Sequence, residues 1–373
     1  MHPVQSLVNA RRFVAVAVVA VTLGACGAGT PSLGPDGTAR ASGSSPAAID
    51  TSGVTLKVAT YPVAIGSDET LLKAAGLLDT PYKVSFQTYP DGGTQTSAVL
   101  QGSADIGRGS GVANALLVGG SDVKPNFLSV ATLRISTATQ WTVAKPDITS
   151  LAQLKGRKVA YTPNSTAQYF LLKQLESVGL TFKDIDPVPL SPANGLSALL
   201  GGSVDALSNF GATVQTAVAK GFPILADGGP ILKGTLGALV ASFNVNVDSL
   251  KDPAKAAAIA DYLARINAAN AWSRAHADQW SQTVATATNQ PLETVKANFK
   301  LAENTVNSSV GPVDPAAIAD VQAIADSFLA AGVLTRKADI AATYTDELNA
   351  QIAAAIATYK AQRPDDFAVT TVN

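Results

Sequence analysis

The chain has 373 residues, more than one hydrophobic core usually organises, so two domains are the default reading. Its formal charge is -1 and no Lys/Arg block interrupts it, which excludes a nucleic-acid binder whose affinity would rest on neutralising phosphates. A single cysteine excludes an intrachain disulfide and a thiolate metal site, and neither a cofactor nor a metal is expected.

Arg11-Arg12 precede an apolar run from Phe13 to Val21, which leads to Leu23-Gly24-Ala25-Cys26. A basic start, an apolar core too short to span a bilayer and small residues before a cleavage point predict a secretory signal over residues 1–25. The four residues ending at Cys26 resemble a bacterial lipobox, which implies that Cys26 is lipidated and holds the chain on the outer side of the cell membrane. An ordinary signal peptide that contains a Cys is the alternative. Residues 26–52 are rich in Gly, Ser, Ala, Pro and Thr and read as a flexible tether.

The body begins with a strand at Val54–Ala59 and a loop at Tyr61-Pro62. A helix capped by Ser67 or Asp68 follows and stops at Gly76; then come a strand at Val84–Tyr89, a loop at Pro90–Thr94, a helix, and a strand at Ala104–Gly107. Strands alternating with helices predict a mostly parallel sheet covered by helices. Residues 53–140 are read as the first part of lobe one. The pattern restarts after Trp141, and residues 141–240 give a second α/β lobe with strands ending near Ala160, Leu190, Ser208 and Ala226. Residues 241–373 return to lobe one and continue as Ala-rich helices carrying Trp272, Trp280 and Phe299, read as packing that covers lobe one.

One unit occurs twice. Ser97-Ala98-Val99-Leu100-Gln101-Gly102-Ser103-Ala104-Asp105 returns as Ser197-Ala198-Leu199-Leu200-Gly201-Gly202-Ser203-Val204-Asp205. Each copy reads as the end of a helix, closed by a left-handed glycine, running into a strand. Asp105 and Asp205 either fix those turns or contact a ligand.

The stretch Leu151-Ala152-Gln153-Leu154-Lys155-Gly156-Arg157-Lys158-Val159-Ala160 resembles a signature of type II periplasmic binding proteins, with Gln153 where that family more often has Asp. Gly179-Leu180, Asp184-Ile185 and Gly202-Ser203-Val204-Asp205-Ala206 follow the same family's order. Within that superfamily the chain, from about Val54 to Leu348, is most similar to receptors of ABC importers for nitrate, taurine and aliphatic sulfonates. The resemblance implies two α/β lobes joined by two crossover segments, a ligand held between them, and no catalysis. It also implies a permease and an ATPase as partners and a monomeric receptor. The chain departs from many sulfonate receptors at Asn209-Phe210-Gly211, where they carry an aromatic-acid-proline triplet.

Ligands of open α/β sheets lie beyond the carboxyl ends of the strands, near helix N-termini that favour negative charge. That rule selects Tyr61 and Pro62; Gly93 and Thr94; Arg108, Ser110 and Gly111; Asn164, Ser165 and Thr166; and Asn209 and Phe210. Arg108 is either the anchor of a carboxylate or sulfonate or the partner of a nearby Asp. Trp141, beside the first crossover, either stacks on ligand or packs the hinge. Arg134 either enters the cleft or pairs at the lobe surface. The expected function is a lipid-anchored receptor for a small organic anion. A neutral or pyrimidine-like ligand, or a sensory lipoprotein without a transporter, stays open.

Overall fold

A computed structural model describes residues 49–120, 125–228 and 238–373. The expected signal peptide, Cys26 and most of the tether lie outside these residues.

In the described residues eleven strands form two mixed sheets. In the first, β1 (Thr55–Thr60), β2 (Lys83–Thr88), β3 (Ile106–Ser110), β4 (Phe127–Ser136), β10 (Ala238–Asn246) and β11 (Ser309–Pro312) take the order β11-β4-β10-β3-β1-β2. In the second, β5 (Gln140–Ala144), β6 (Lys158–Tyr161), β7 (Asp186–Pro189), β8 (Ala206–Phe210) and β9 (Ile224–Asp227) take the order β7-β6-β8-β5-β9. The pairs β1–β2, β1–β3, β6–β7 and β6–β8 are parallel. Those made by β4, β5 and β10, which flank the crossovers, are antiparallel, so the sheets are mixed rather than mostly parallel.

Thirteen α-helices pack on these sheets in the described residues: α1 (Asp68–Ala74), α2 (Gly92–Leu100), α3 (Gly111–Gly120), α4 (Thr166–Ser177), α5 (Pro192–Leu200), α6 (Ala212–Ala219), α7 (Val247–Leu250), α8 (Pro253–Ala275), α9 (Ala277–Thr288), α10 (Leu292–Thr305), α11 (Pro315–Ala330), α12 (Asn349–Gln362) and α13 (Pro364–Ala368). Leu56, Ile106 and Phe243 of the first sheet bury against Ile259, Tyr262 and Leu263 of α8. In the second sheet Val159 joins Leu171 and Leu175 on one face, while Ala160 joins Leu199 and Val214 on the other. Successive strand residues point to opposite faces, so helices on both sides of a sheet demand apolar residues at consecutive positions.

The repeated unit does the same structural job in both lobes. Gly102 and Gly202 take φ of 75° and 76°, which turns the chain off α2 and α5. Asp105 Oδ2 then accepts from the Lys57 N–H at 2.8 Å while its own N–H donates to the Lys57 carbonyl at 2.8 Å. Asp205 repeats this with Lys158 at 3.0 and 2.8 Å. Lys255 and Lys145 complete the two sites at 2.9 and 2.8 Å. Both aspartates therefore splice a helix onto the start of a neighbouring strand.

The first crossover, residues 137–139 between β4 and β5, meets the end of β9. The Thr137 hydroxyl donates to the Gly228 carbonyl at 3.2 Å. A Cβ at Gly228 would sit 2.3 Å from the Thr137 carbonyl oxygen, so only glycine allows this approach. Among the helices, the sequence places Trp272 and Trp280 on one helix, but α8 ends at Ala275 and α9 starts anew at Ala277. His276 breaks the run with φ -119° and ψ 44°, and past that bend Trp280 lines the cleft while still packing against the core cluster that includes α8.

Candidate ligand cleft

A cavity of about 330 Å³ lies where strand-to-helix loops of both sheets meet the helices α8 to α10. Tyr61, Arg108 and Ser110 enter it from the first sheet, and Ser165, Thr166 and Phe210 from the second. The register explains the convergence: β3 ends at Ser110 beside β1, and β6 and β8 end at the loops that carry Ser165 and Phe210. Ser165 caps α4, accepting from the Ala167 N–H at 3.2 Å and donating to the Thr162 carbonyl at 2.7 Å. This sets the N-terminal turn of a twelve-residue helix on the cavity wall, where its dipole favours an anion.

Arg108 is the only Lys, Arg or His among the described residues lining the cavity. Its guanidinium lies 4.8 Å from the centroid of the Tyr61 ring, and the Tyr61 hydroxyl donates to the Arg108 carbonyl at 3.2 Å. Its Nη2 donates to the Gly66 carbonyl and sits 3.6 Å from Asp68 Oδ1. Both contacts use one nitrogen of a five-donor group, which leaves donor capacity for a ligand. Burial pushes the Tyr61 phenol up to about 12, with Arg108 opposing and Asp68 and Asp91 adding to the shift. It is therefore a neutral hydroxyl at physiological pH.

Several expected residues lie elsewhere. Asn209 is fully buried, its amide donating to the Thr162 hydroxyl at 3.0 Å, so it braces lobe two. The Trp141 indole donates to the Ala138 carbonyl at 2.9 Å beside the crossover, which is the packing alternative. Thr94 is exposed and bonds Asp91 at the start of α2. Gly111 opens α3, and Pro62 precedes a short 3₁₀ turn; neither lines the cavity. Gly93 and Asn164 lie against each other and do not line the cavity; a Cβ on Gly93 would come within 3.1 Å of Asn164 Cβ. Arg134 pairs with Asp314 at 3.7 Å on the surface.

Five cavity residues carried no signal of this role in the sequence: Asp68, Gln140, Trp280, Phe299 and Glu303. Gln140 is 3% exposed, and its Oε1 has no hydrogen-bond partner. Glu303 accepts from Arg274 at 3.3 Å and from the Ser308 N–H and hydroxyl at 3.0 and 2.6 Å. Trp280 and Phe299 also line a second cavity of about 200 Å³ and so form a partition between the two. No group of three or more metal-ligating side chains occurs among the described residues.

Residues 73–227 match the model of the NMT1/THI5-like family. The chain is 26% identical over 274 residues to a protein of Escherichia coli (strain K12) named as a candidate aliphatic sulfonates-binding protein, covering 72% of the chain and 82% of that relative. Among solved structures it resembles the alkanesulfonate-binding protein SsuA of Xanthomonas axonopodis pv. citri bound to MOPS. That match has a TM-score of 0.67 at 22% identity and covers 78% of this chain and 98% of the other. The periplasmic nitrate-binding protein NrtA of Synechocystis PCC 6803 gives a TM-score of 0.63 at 14% identity, over 82% and 89% of the two chains. At these identities the structural likeness establishes a periplasmic-binding-protein fold, in agreement with the two sheets and two crossovers above. The named relatives are binding proteins rather than enzymes.

Proposed function

We propose that the protein is an extracytoplasmic solute-binding receptor of an ABC importer, tethered to the cell membrane through a lipidated Cys26, that binds a small organic anion of the sulfonate or carboxylate type. The observation that carries this reading is Arg108, the single cation among the described residues of the cavity wall, in a cavity that both sheets reach and that also receives the N-terminal turn of α4. A carboxylate or sulfonate there meets a charge-assisted donor from lobe one and a helix N-terminus from lobe two. Tyr61, Phe210, Trp280 and Phe299 offer the body of such an anion an aromatic lining. A ligand that touches both lobes favours the closed arrangement, which a permease reads without any bond being made or broken. In this reading residues 1–25 are the signal, 26–52 the tether, 53–140 with 241–373 lobe one, and 141–240 lobe two.

A thermal-shift screen of sulfonates, carboxylates, nitrate and pyrimidines tests the ligand class. A ligand present at a hundred times its Kd stabilises the fold by about 2.7 kcal/mol, enough to raise Tm by several degrees. Stabilisation by sulfonates or carboxylates is expected; stabilisation by uncharged pyrimidines alone contradicts the anion reading.

A further inference from the structure

The charges of the cavity cancel before any ligand arrives. Asp68, only 2% exposed, holds its Oδ1 3.6 Å from Arg108 Nη2, and at the far end Glu303 is matched by Arg274. The groups that face Asp68 come from three elements. Arg108 reaches it from β3, the Tyr262 hydroxyl of α8 donates to its Oδ2 at 3.4 Å, and Tyr61 approaches from the loop after β1 across the Arg108 guanidinium. The Asp68 N–H is held by the Thr60 hydroxyl at 3.0 Å, which fixes the residue at the first position of α1. An anion set on Arg108 therefore shares one guanidinium with a buried carboxylate, and two like charges in one site raise the proton affinity of the group that can titrate.

We infer that Asp68 is a specificity-determining residue of the cleft: it takes up one proton when an anion occupies Arg108, so the site admits monoanions and disfavours dianions. This rests on the anion-binding reading. Protonation turns a repelling carboxylate into a carboxylic acid that can donate a hydrogen bond to the anion, and it frees Arg108 for the ligand. Tyr262 bonds Asp68 in either state, because its hydroxyl can donate to the carboxylate or accept from the acid. Burial already holds the Asp68 carboxyl above the ordinary carboxylate value, against the opposing pull of Arg108 and Tyr262, so the proton starts partly favoured. The sign follows: binding takes up a proton wherever free Asp68 is ionised, so affinity rises as pH falls and levels off once the free protein is itself protonated.

Calorimetric titration of the protein with butanesulfonate, which stays ionised throughout, tests this between about pH 5 and pH 8. Imidazole and Tris buffers of different ionisation enthalpy report the proton count, and sulfonate buffers are avoided. The expected result is uptake of up to one proton per ligand, with Kd rising by up to about tenfold per pH unit. Asp68→Asn should abolish both effects and bind butanesulfonate more tightly than the unaltered chain at neutral pH, and benzenedisulfonate should bind more weakly than benzenesulfonate. Butanesulfonate binding without proton uptake, at a Kd independent of pH, overturns the role of Asp68 and leaves the anion reading standing. The proton count on the unaltered chain decides this even where the variant fails to fold. If neither butanesulfonate nor benzoate binds anywhere in the range, both readings fall.

Discussion

Arg108 is positioned by its surroundings before it can act. Its backbone N–H bonds Gln95 at 2.9 Å, its carbonyl takes the Tyr61 hydroxyl, and Nη2 is shared by Gly66 and Asp68. Arg108→Ala should weaken a bound sulfonate by about 1.5–3 kcal/mol, the range for a hydrogen bond to a charged group, and calorimetry reads that loss directly. Asp105 makes a separate prediction, about stability. Burial works against its charge, but donors from Lys57, Lys255 and Ser249 outweigh it and hold the carboxyl below 3.8. A lowered carboxyl stabilises the fold fully above its unfolded value and loses that contribution as pH falls through the folded value. Urea unfolding should show Asp105→Asn clearly less stable than the unaltered chain at neutral pH, with the gap closing well below about pH 4; a gap that persists in acid would remove the charge from the explanation. The work of Asp105 was legible in the sequence because the turn is local and occurs twice. That of Asp68 was not, since its neighbour Ser67 supplies the cap, accepting from the Thr70 N–H, and only the tertiary approach of β3 brings Arg108 to it.

The elements around the cleft divide by how their positions were specified. Helix α4 was readable, because Ser165 and Thr166 follow a strand and precede an apolar run; Ser165→Ala should cost about 0.5–2 kcal/mol of stability as a lost cap and loosen the cavity wall. Helices α9 and α10 read only as packing, since their Ala-rich pattern holds no charged motif facing the site. It is the break at His276 that swings Trp280 inward. Phe299→Ala should open the partition between the two cavities and favour bulkier anions over methanesulfonate in a competition assay; an unchanged size preference would mean that α10 does not bound the ligand. At the crossovers, Gly228→Ala forces a methyl group against the Thr137 carbonyl and should destabilise the fold by about 1–3 kcal/mol in denaturant unfolding.

At the scale of the molecule, two lobes with the same helix-to-strand splice face each other through loops beyond the ends of their parallel strands. That arrangement was foreseeable from the alternation of elements and the repeated unit. The mixed character of the sheets was not, because strand direction at the crossovers depends on which sheet edge the returning chain meets. The proposed membrane attachment is tested on the whole chain: Cys26→Ser should move the protein from the membrane fraction to the soluble one once the signal is removed, and continued fractionation with membranes would refute the anchor. The central claim, an anion bridging the lobes at Arg108, is tested most directly by a crystal structure with an alkanesulfonate. The account predicts sulfonate oxygens within hydrogen-bonding distance of the Arg108 guanidinium and of the first turn of α4. A head group bound away from Arg108 would contradict it.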